Sequence, residues 1–165
     1  MSPRLVTALV LACAALALSG CGFRPLYAQP GVTPGLADIL VAAPRGRAGY
    51  LVGEALNDAL ATGGGASAWR LDLDLSEQRF PRGLRVDNVA TRYEYVLTAA
   101  YTLRDVATLT PAKVGNVRVE LTYDSADQPY ASVAAQQDAQ ERAALEAARR
   151  IQLELAAWFA DQAGS

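Results

Sequence analysis

The residue with the most distinctive chemistry in this sequence is Cys21, which ends the segment Leu18-Ser19-Gly20-Cys21. Small residues before a cysteine allow the backbone to lie extended in the groove of a protease, as at the cleavage site of an export signal. The thiol that follows is a nucleophile to which a diacylglycerol group can be attached. The segment therefore predicts cleavage after Gly20 and a lipid on Cys21.

The residues before Cys21 have the organisation of a bacterial export signal. Arg4 is the only charged residue in residues 1–20, and Leu5–Leu18 is an uncharged run of 14 residues. A helix needs about 20 apolar residues to cross a bilayer, so this run fits a signal peptide better than a membrane span. Together with Cys21, it resembles the signal and lipobox of bacterial lipoproteins. Gly22, where an aspartate would resemble an inner-membrane retention signal, favours the outer membrane.

Composition excludes the commonest catalytic and metal-binding chemistries from the mature chain. The sequence contains no histidine, and Cys13 is lost with the signal, so that Cys21 is the one remaining cysteine. A histidine base, a free thiolate nucleophile and a zinc–thiolate site are therefore ruled out. The mature chain has 14 basic and 17 acidic residues, which does not suit a nucleic-acid-binding protein. We expect no enzymatic activity, no cofactor and no metal.

A group of arginines forms the second candidate site, and its members are Arg79, Arg82, Arg85 and Arg92. Asp87 is the only acidic residue between the first and the last of them. Guanidinium groups bind phosphate oxygens through paired hydrogen bonds. Phe80 and Pro81 interrupt the strand alternation, which predicts a hairpin tip at this point. The cluster is interpreted either as a phosphate-binding site, as a solvated loop, or as a contact with a protein partner.

Hydropathy patterns predict the elements that precede the arginines. Prolines at three positions predict an extended tether over residues 21–35. The apolar segment Leu36–Ala43 is predicted to be a short strand. In Arg47–Thr62 the apolar residues recur at helical spacing, and three glycines at residues 63–65 end the predicted helix.

Three amphipathic strands and a long helix complete the predicted domain, which spans residues 36–165. Apolar and polar residues alternate around Trp69–Ser76, Arg92–Arg104 and Val117–Asp124. Asp105–Val114 is predicted to be a loop, and Ser132–Ala160 a helix. One apolar face per strand is typical of an antiparallel sheet covered on one side. The predicted fold is α/β (α+β), a two-layer sandwich of a four-stranded sheet covered on one face by two helices. Its predicted order is strand-helix-strand-strand-strand-helix.

Three segments resemble one branch of the LptE family, the lipopolysaccharide-assembly lipoproteins. The mature N-terminus is the most specific of them, with the sequence Cys21-Gly22-Phe23-Arg24-Pro25-Leu26-Tyr27. The segments Ala90–Glu94 and Tyr130–Ala135 are also similar to that branch. Outside the Cys21-Gly22-Phe23 start, the sequence departs from the enteric members. Individual lipopolysaccharide contacts therefore do not transfer from those members.

The resemblance implies a binding protein of the outer membrane, anchored by lipid on the periplasmic side. LptE-like proteins plug the lumen of the β-barrel LptD, assist its assembly, and take part in lipopolysaccharide transport to the outer leaflet. They have no cofactor and no catalytic residues. The implied partners are therefore an LptD-like barrel, lipopolysaccharide and the membrane, and the arginines are candidates for binding lipid A phosphates. The alternatives are a stand-alone lipid-binding or envelope-scaffolding lipoprotein and, less favoured without histidine, a lipid-anchored hydrolase.

Overall fold

The computed structural model describes residues 31–60, 67–84, 90–125 and 128–164. Its elements, in chain order, are α1 Val32–Ala37, β1 Ile39–Ala42, α2 Arg47–Leu60, β2 Trp69–Leu84, β3 Ala90–Asp105, β4 Pro111–Asp124 and α3 Pro129–Ala163. The predicted α+β fold is confirmed, and the short helix α1 is added at its start. Two acid–base pairs at a spacing of four residues form ion pairs on α3, Arg142 with Asp138 at 2.9 Å and Arg150 with Glu146 at 2.7 Å.

The four strands form one mixed sheet in the order β1-β2-β3-β4. Strands β2, β3 and β4 are antiparallel neighbours, as the alternation of their sequences predicts. Strand β1 adds to β2 in parallel through only four residue pairs, from Ile39 with Trp69 to Ala42 with Asp72. A parallel pair requires a long crossover connection, which α2 provides.

Helices α2 and α3 cover one face of the sheet and enclose the core. The apolar side chains of both helices and of alternate strand positions are buried there, among them Leu56, Leu71, Leu97, Leu103 and Ile151. The opposite face of the sheet, called here the open face, carries mainly charged and polar side chains. Helix α1 lies at the end of α3, where Gly35 leaves no room for a Cβ beside the ring of Phe159.

The start of the domain differs from the sequence-based expectation. The predicted tether was wrong for Val32–Gly35, because these residues belong to α1 and Val32 is completely buried. Pro34 is compatible with this helix, because backbone N–H groups in the first turn have no hydrogen-bond partner within the helix. The predicted strand at Leu36–Ala43 is also shorter, and forms only Ile39–Ala42.

Pro81, which was expected to interrupt a strand, and Pro111, which falls in the predicted loop Asp105–Val114, both belong to strands. Pro81 pairs with Tyr93 inside β2, and Pro111 is the first residue of β4, so that the predicted loop Asp105–Val114 is only five residues long. Among the described residues, β2 has no neighbour on its β1 side beyond Asp72, and no strand lies beyond β4. Proline is tolerated at such edges because its missing N–H is not needed for the ladder.

Within the described ranges, no group of three or more acidic, cysteine or histidine side chains is placed to hold a metal ion. No helix among these residues combines the length and the hydropathy required to cross a membrane.

Candidate functional site

The arginines belong to a hairpin formed by the far ends of β2 and β3. The two strands stay paired through Arg82 with Arg92 and Leu84 with Ala90. The predicted hairpin tip at Phe80 and Pro81 was therefore wrong, because the free edge of β2 accommodates the proline and the strand continues. Residues 85–89, between the two strands, lie outside the described residues.

Arg79 lies on the helix-covered side of this hairpin and ties it to α3. Its guanidinium donates a hydrogen bond of 2.8 Å to the side-chain oxygen of Gln136. Its central carbon lies 4.9 Å from the ring centre of Tyr93, which stacks on Tyr123 at 5.6 Å. Two residues before Arg79 on β2, Glu77 accepts hydrogen bonds from Gln140 and from the hydroxyl of Tyr95. Arg79 is thus part of the packing between hairpin and helix.

Arg82 and Arg92 lie together on the open face, directly opposite each other across the two strands. Arg82 Nε donates to Glu94 at 2.9 Å, and Arg92 Nε donates to Asp124 at 2.8 Å. The hydrogen bond and the negative charge of Asp124 raise the pKa of Arg92 above its usual value. Both arginine side chains remain more than half exposed, at 58% and 57%.

A hollow of about 570 Å³ lies between these arginines, lined by Arg82, Gly83, Thr91, Arg92 and Asp124. Gly83 has φ +60°, a left-handed conformation that favours glycine, and its carbonyl accepts a 2.6 Å hydrogen bond from the Thr91 hydroxyl. Exposed ion pairs contribute only about 0–1 kcal/mol, so an anion can compete with the two carboxylates for the guanidinium groups. The arrangement therefore suits a phosphate group that is bound from the solvent side.

The structure divides the predicted cluster. It brings together Arg82 and Arg92, and it places Arg79 on the other side of the sheet. Arg85 and Cys21 lie outside the described residues. The sequence reasoning missed the partners Glu94 and Asp124, because cross-strand partners depend on the strand register and the register is not visible in the pattern.

Other arginines on the open face belong to local ion pairs. Asp72 bridges Arg70 at 2.7 Å and Arg104 at 3.1 Å, at the end of the sheet opposite the hairpin. Near the middle of β4, Arg118 pairs with Glu120 at 2.7 Å. These pairs provide exposed arginines of the same kind outside the candidate site.

The described chain begins at the opposite end of the sheet from the hairpin. Gly31 lies beside Ala163 at the end of α3, and α1 then leads into the first pair of the sheet, Ile39 with Trp69. Along β3, Asp105, the cross-strand partner of Trp69, lies thirteen positions after Arg92. At the rise of an antiparallel strand, this separation is about 43 Å. The hairpin arginines are therefore remote from Gly31, where the described chain begins.

Comparison with known proteins identifies the family. A family model described as LptE, lipopolysaccharide-assembly, matches residues 36–155. Among curated proteins, none matches the chain. A structure from Caulobacter crescentus that is described as a lipoprotein is 52% identical, with a TM-score of 0.70, and the match covers 80% of this chain and 97% of that one. Rare lipoprotein B from Shewanella oneidensis, at 16% identity, has the same fold with a TM-score of 0.58, over 75% of this chain and 96% of that one. The chain belongs to the LptE family of lipopolysaccharide-assembly proteins.

Proposed function

We propose that this protein is an outer-membrane lipoprotein that plugs an LptD-like β-barrel, assists its assembly, and takes part in lipopolysaccharide transport to the outer leaflet. Residues 1–20 are removed as a signal peptide, and lipid on Cys21 anchors the mature chain on the periplasmic side. The observation that carries the proposal is the family match, which spans residues 36–155 and hence nearly all of the folded domain. In this role the protein acts by binding and not by catalysis.

The length of the sheet supports a position inside a membrane-spanning barrel. The anchored end and the hairpin arginines are about 43 Å apart along β3. A bilayer with its headgroup regions is about 40–45 Å thick. If the anchored end faces the periplasmic leaflet, Arg82 and Arg92 reach the level at which lipopolysaccharide phosphates are delivered.

In this proposal, Arg82 and Arg92 bind lipid A phosphates in the hollow between them. A phosphate group offers several acceptor oxygens, and each guanidinium presents a planar set of donors that matches them. Arg85 follows two residues after Gly83 in the chain and stays a predicted member of the site. Arg79 holds the hairpin against α3 and contributes to binding only by positioning.

The partner is tested by extracting outer membranes with mild detergent and purifying this protein. We expect a large β-barrel protein to be recovered in equal amount, and depletion of the chain to lower both the assembled barrel and the surface lipopolysaccharide. Cys21→Ser is the informative control, because it removes the anchor but leaves the folded domain unchanged. Purification without a barrel, together with normal barrel levels after depletion, would instead support the stand-alone lipoprotein.

The phosphate site is tested with the double variant Arg82→Gln, Arg92→Gln and purified lipopolysaccharide. Its matched control is Arg70→Gln, Arg118→Gln, which removes two exposed, ion-paired arginines from the same face. Each well-formed charge-assisted hydrogen bond contributes roughly 1.5–3 kcal/mol, so we expect binding at least about tenfold weaker in the site variant only. Equal loss in both variants would indicate non-specific charge attraction and contradict the site.

A further inference from the structure

The outer edge of β4 is a long row of backbone groups beside which the structure places no strand. Strand β4 has fourteen residues and pairs with β3 along one side, whereas none of the other described strands lies along its second side. From residue 114 onward it contains neither a proline nor a register shift, two features that commonly protect such an edge. An exposed edge of this kind is a template for pairing with another strand.

The register shows which residues of β4 direct their backbone groups outward. The N–H of Ser125 donates to the carbonyl of Thr91, so this residue pair is hydrogen-bonded. Hydrogen-bonded and non-hydrogen-bonded pairs alternate along an antiparallel ladder, and the odd-numbered residues among 117–123 therefore bond to β3. The even-numbered residues present their N–H and carbonyl groups to the free side. The carbonyl of Arg118 agrees with this assignment, because it accepts a hydrogen bond of 2.9 Å from Arg150 on α3.

The even-numbered positions at the middle of this edge carry opposite charges on the open face. Arg118 and Glu120 form a 2.7 Å ion pair within the strand, and their side chains are 52% and 50% exposed. The odd-numbered neighbours Val117 and Val119 belong to the core on the other face. An exposed ion pair within one strand is weak, so both charged groups are available to a partner strand.

The β4 edge is complementary to a second copy of itself. Outward-directed residues lie opposite each other in an antiparallel pair, so even-numbered residues pair with even-numbered residues. With a two-fold axis through Val119, Arg118 of each copy lies opposite Glu120 of the other. Asn116 and Thr122, both exposed and polar, then also lie opposite each other. Side chains in such positions have Cβ atoms about 4.5–5.5 Å apart, which is close enough for ion pairs between the copies.

Charge selects this register over its two neighbours. Moving the two-fold axis by one residue keeps the hydrogen-bonding positions matched, but it places either the two Arg118 side chains or the two Glu120 side chains directly opposite each other. Like charges in directly opposite positions are destabilising, whereas opposite charges are stabilising. The register centred on Val119 is therefore the favourable one of the three.

We propose that two copies of this chain associate outside a barrel by antiparallel pairing of their β4 edges about Val119. The two sheets then form one continuous sheet of eight strands, with the long helices of both copies on the same face. Arg150 is compatible with the pairing, because a backbone carbonyl has two lone pairs and accepts from the guanidinium and from an incoming N–H together. In the proposed function, the pairing covers this edge until the chain enters a barrel.

The test uses the fact that the two new ion pairs join different copies. The protein is the mature chain with Cys21→Ser, so that neither acyl chains nor a disulfide bond can hold copies together. Arg118→Glu leaves only negative charges at the paired positions, and Glu120→Arg leaves only positive charges. We expect each variant alone to self-associate about tenfold more weakly than the parent in sedimentation velocity experiments. An equimolar mixture of the two should associate as strongly as the parent, because the mixed pair has opposite charges at both contacts.

The mixture separates pairing between copies from effects within one chain. Loss of the ion pair between Arg118 and Glu120 within each copy cannot be repaired by adding the other variant. Arg70→Glu is the matched control, since Arg70 forms a 2.7 Å ion pair with Asp72 on the same face but on β2. This control should associate like the parent. Circular dichroism checks that each variant is folded.

Three results would overturn the proposal. They are a parent that stays monomeric at about 1 mM, a single variant that associates as strongly as the parent, and a mixture that associates no more than its components. The samples contain neither a barrel nor lipid, so each of these results leaves the proposed function untouched. Conversely, purification of this protein from outer membranes without a barrel would reject the proposed function and leave the β4 pairing unaffected.

Discussion

Gly115 is the position at which a single added carbon should disturb the contact between the sheet and α3. It lies opposite Tyr101 in the β3–β4 register, and the Tyr101 ring, only 1% exposed, passes over it to donate a hydrogen bond to Glu154 on α3. A Cβ at position 115 would lie 2.3 Å from both Cζ and the hydroxyl oxygen of Tyr101. We therefore expect Gly115→Ala to displace the ring and to break its hydrogen bond.

The expected loss follows from three terms of different sign. Overpacking a core costs about 1–3 kcal/mol, and a lost hydrogen bond to a charged group costs about 1.5–3 kcal/mol. Replacing a strand glycine with alanine stabilises the folded state by about 0.5–1 kcal/mol, because alanine loses less conformational freedom on folding. The net loss in the free energy of unfolding is about 3 kcal/mol, or roughly 10 °C in Tm for a domain of this size. Urea and thermal unfolding followed by circular dichroism measure it.

A double-mutant cycle isolates the cause. In a Tyr101→Leu background, the ring atoms that meet the new Cβ are missing, so Gly115→Ala should cost little. Asn116→Ala, at the exposed neighbouring position, controls for a general change in strand propensity. The steric explanation is refuted if Gly115→Ala costs the same in both backgrounds, or if it costs no more than the control.

Further substitutions test other contacts. Gly49→Ala should lower the free energy of unfolding in urea by about 3 kcal/mol, because the new Cβ would lie 1.8 Å from the carbonyl oxygen of Pro44. An unchanged midpoint of urea unfolding would contradict that contact. Hydrogen bonds from Thr108 lower the pKa of Asp105. The contribution of Asp105 to the free energy of unfolding is therefore present above its unfolded-state pKa and is lost as the pH falls through its folded-state pKa. Asp105→Asn should make the free energy of unfolding less dependent on pH at the acid end. Burial and Glu77 raise the pKa of Tyr95, so its contribution is lost as the pH rises above the ordinary tyrosine value of 10.0; Tyr95→Phe should unfold at a higher pH.

Side-chain periodicity predicted most of the fold because burial on one face leaves a direct record in the sequence. Tyr95 and Tyr101, which the alternation over Arg92–Arg104 places on the apolar face of the strand, are 4% and 1% exposed. Phe159 is also buried, and Trp158 packs against it with ring centres 4.9 Å apart. These positions follow from local alternation or helical spacing alone, and they need no knowledge of the strand order.

The features that the sequence did not reveal depend on tertiary neighbours. Helix α1 is a six-residue element with two buried side chains, too short for a helical period to be recognised, and it is stabilised by contact with the end of α3. The parallel addition of β1 likewise depends on the path of α2. Pro81 indicated a break only under the assumption that β2 has a strand on both sides.

The arginine cluster shows how one misplaced element changes the interpretation of a site. In a loop, neighbouring residues can point in any direction, so Arg79 and Arg82 were expected to act together. In a strand, residues separated by an odd number lie on opposite faces, and these two therefore face α3 and the open side, respectively. A combined charge-removing variant would disturb the attachment of the hairpin to α3 as well as the proposed phosphate site. Arg79→Gln alone should thus lower stability without changing the charge of the hollow, whereas Arg82→Gln should remove charge from the hollow with little change in stability.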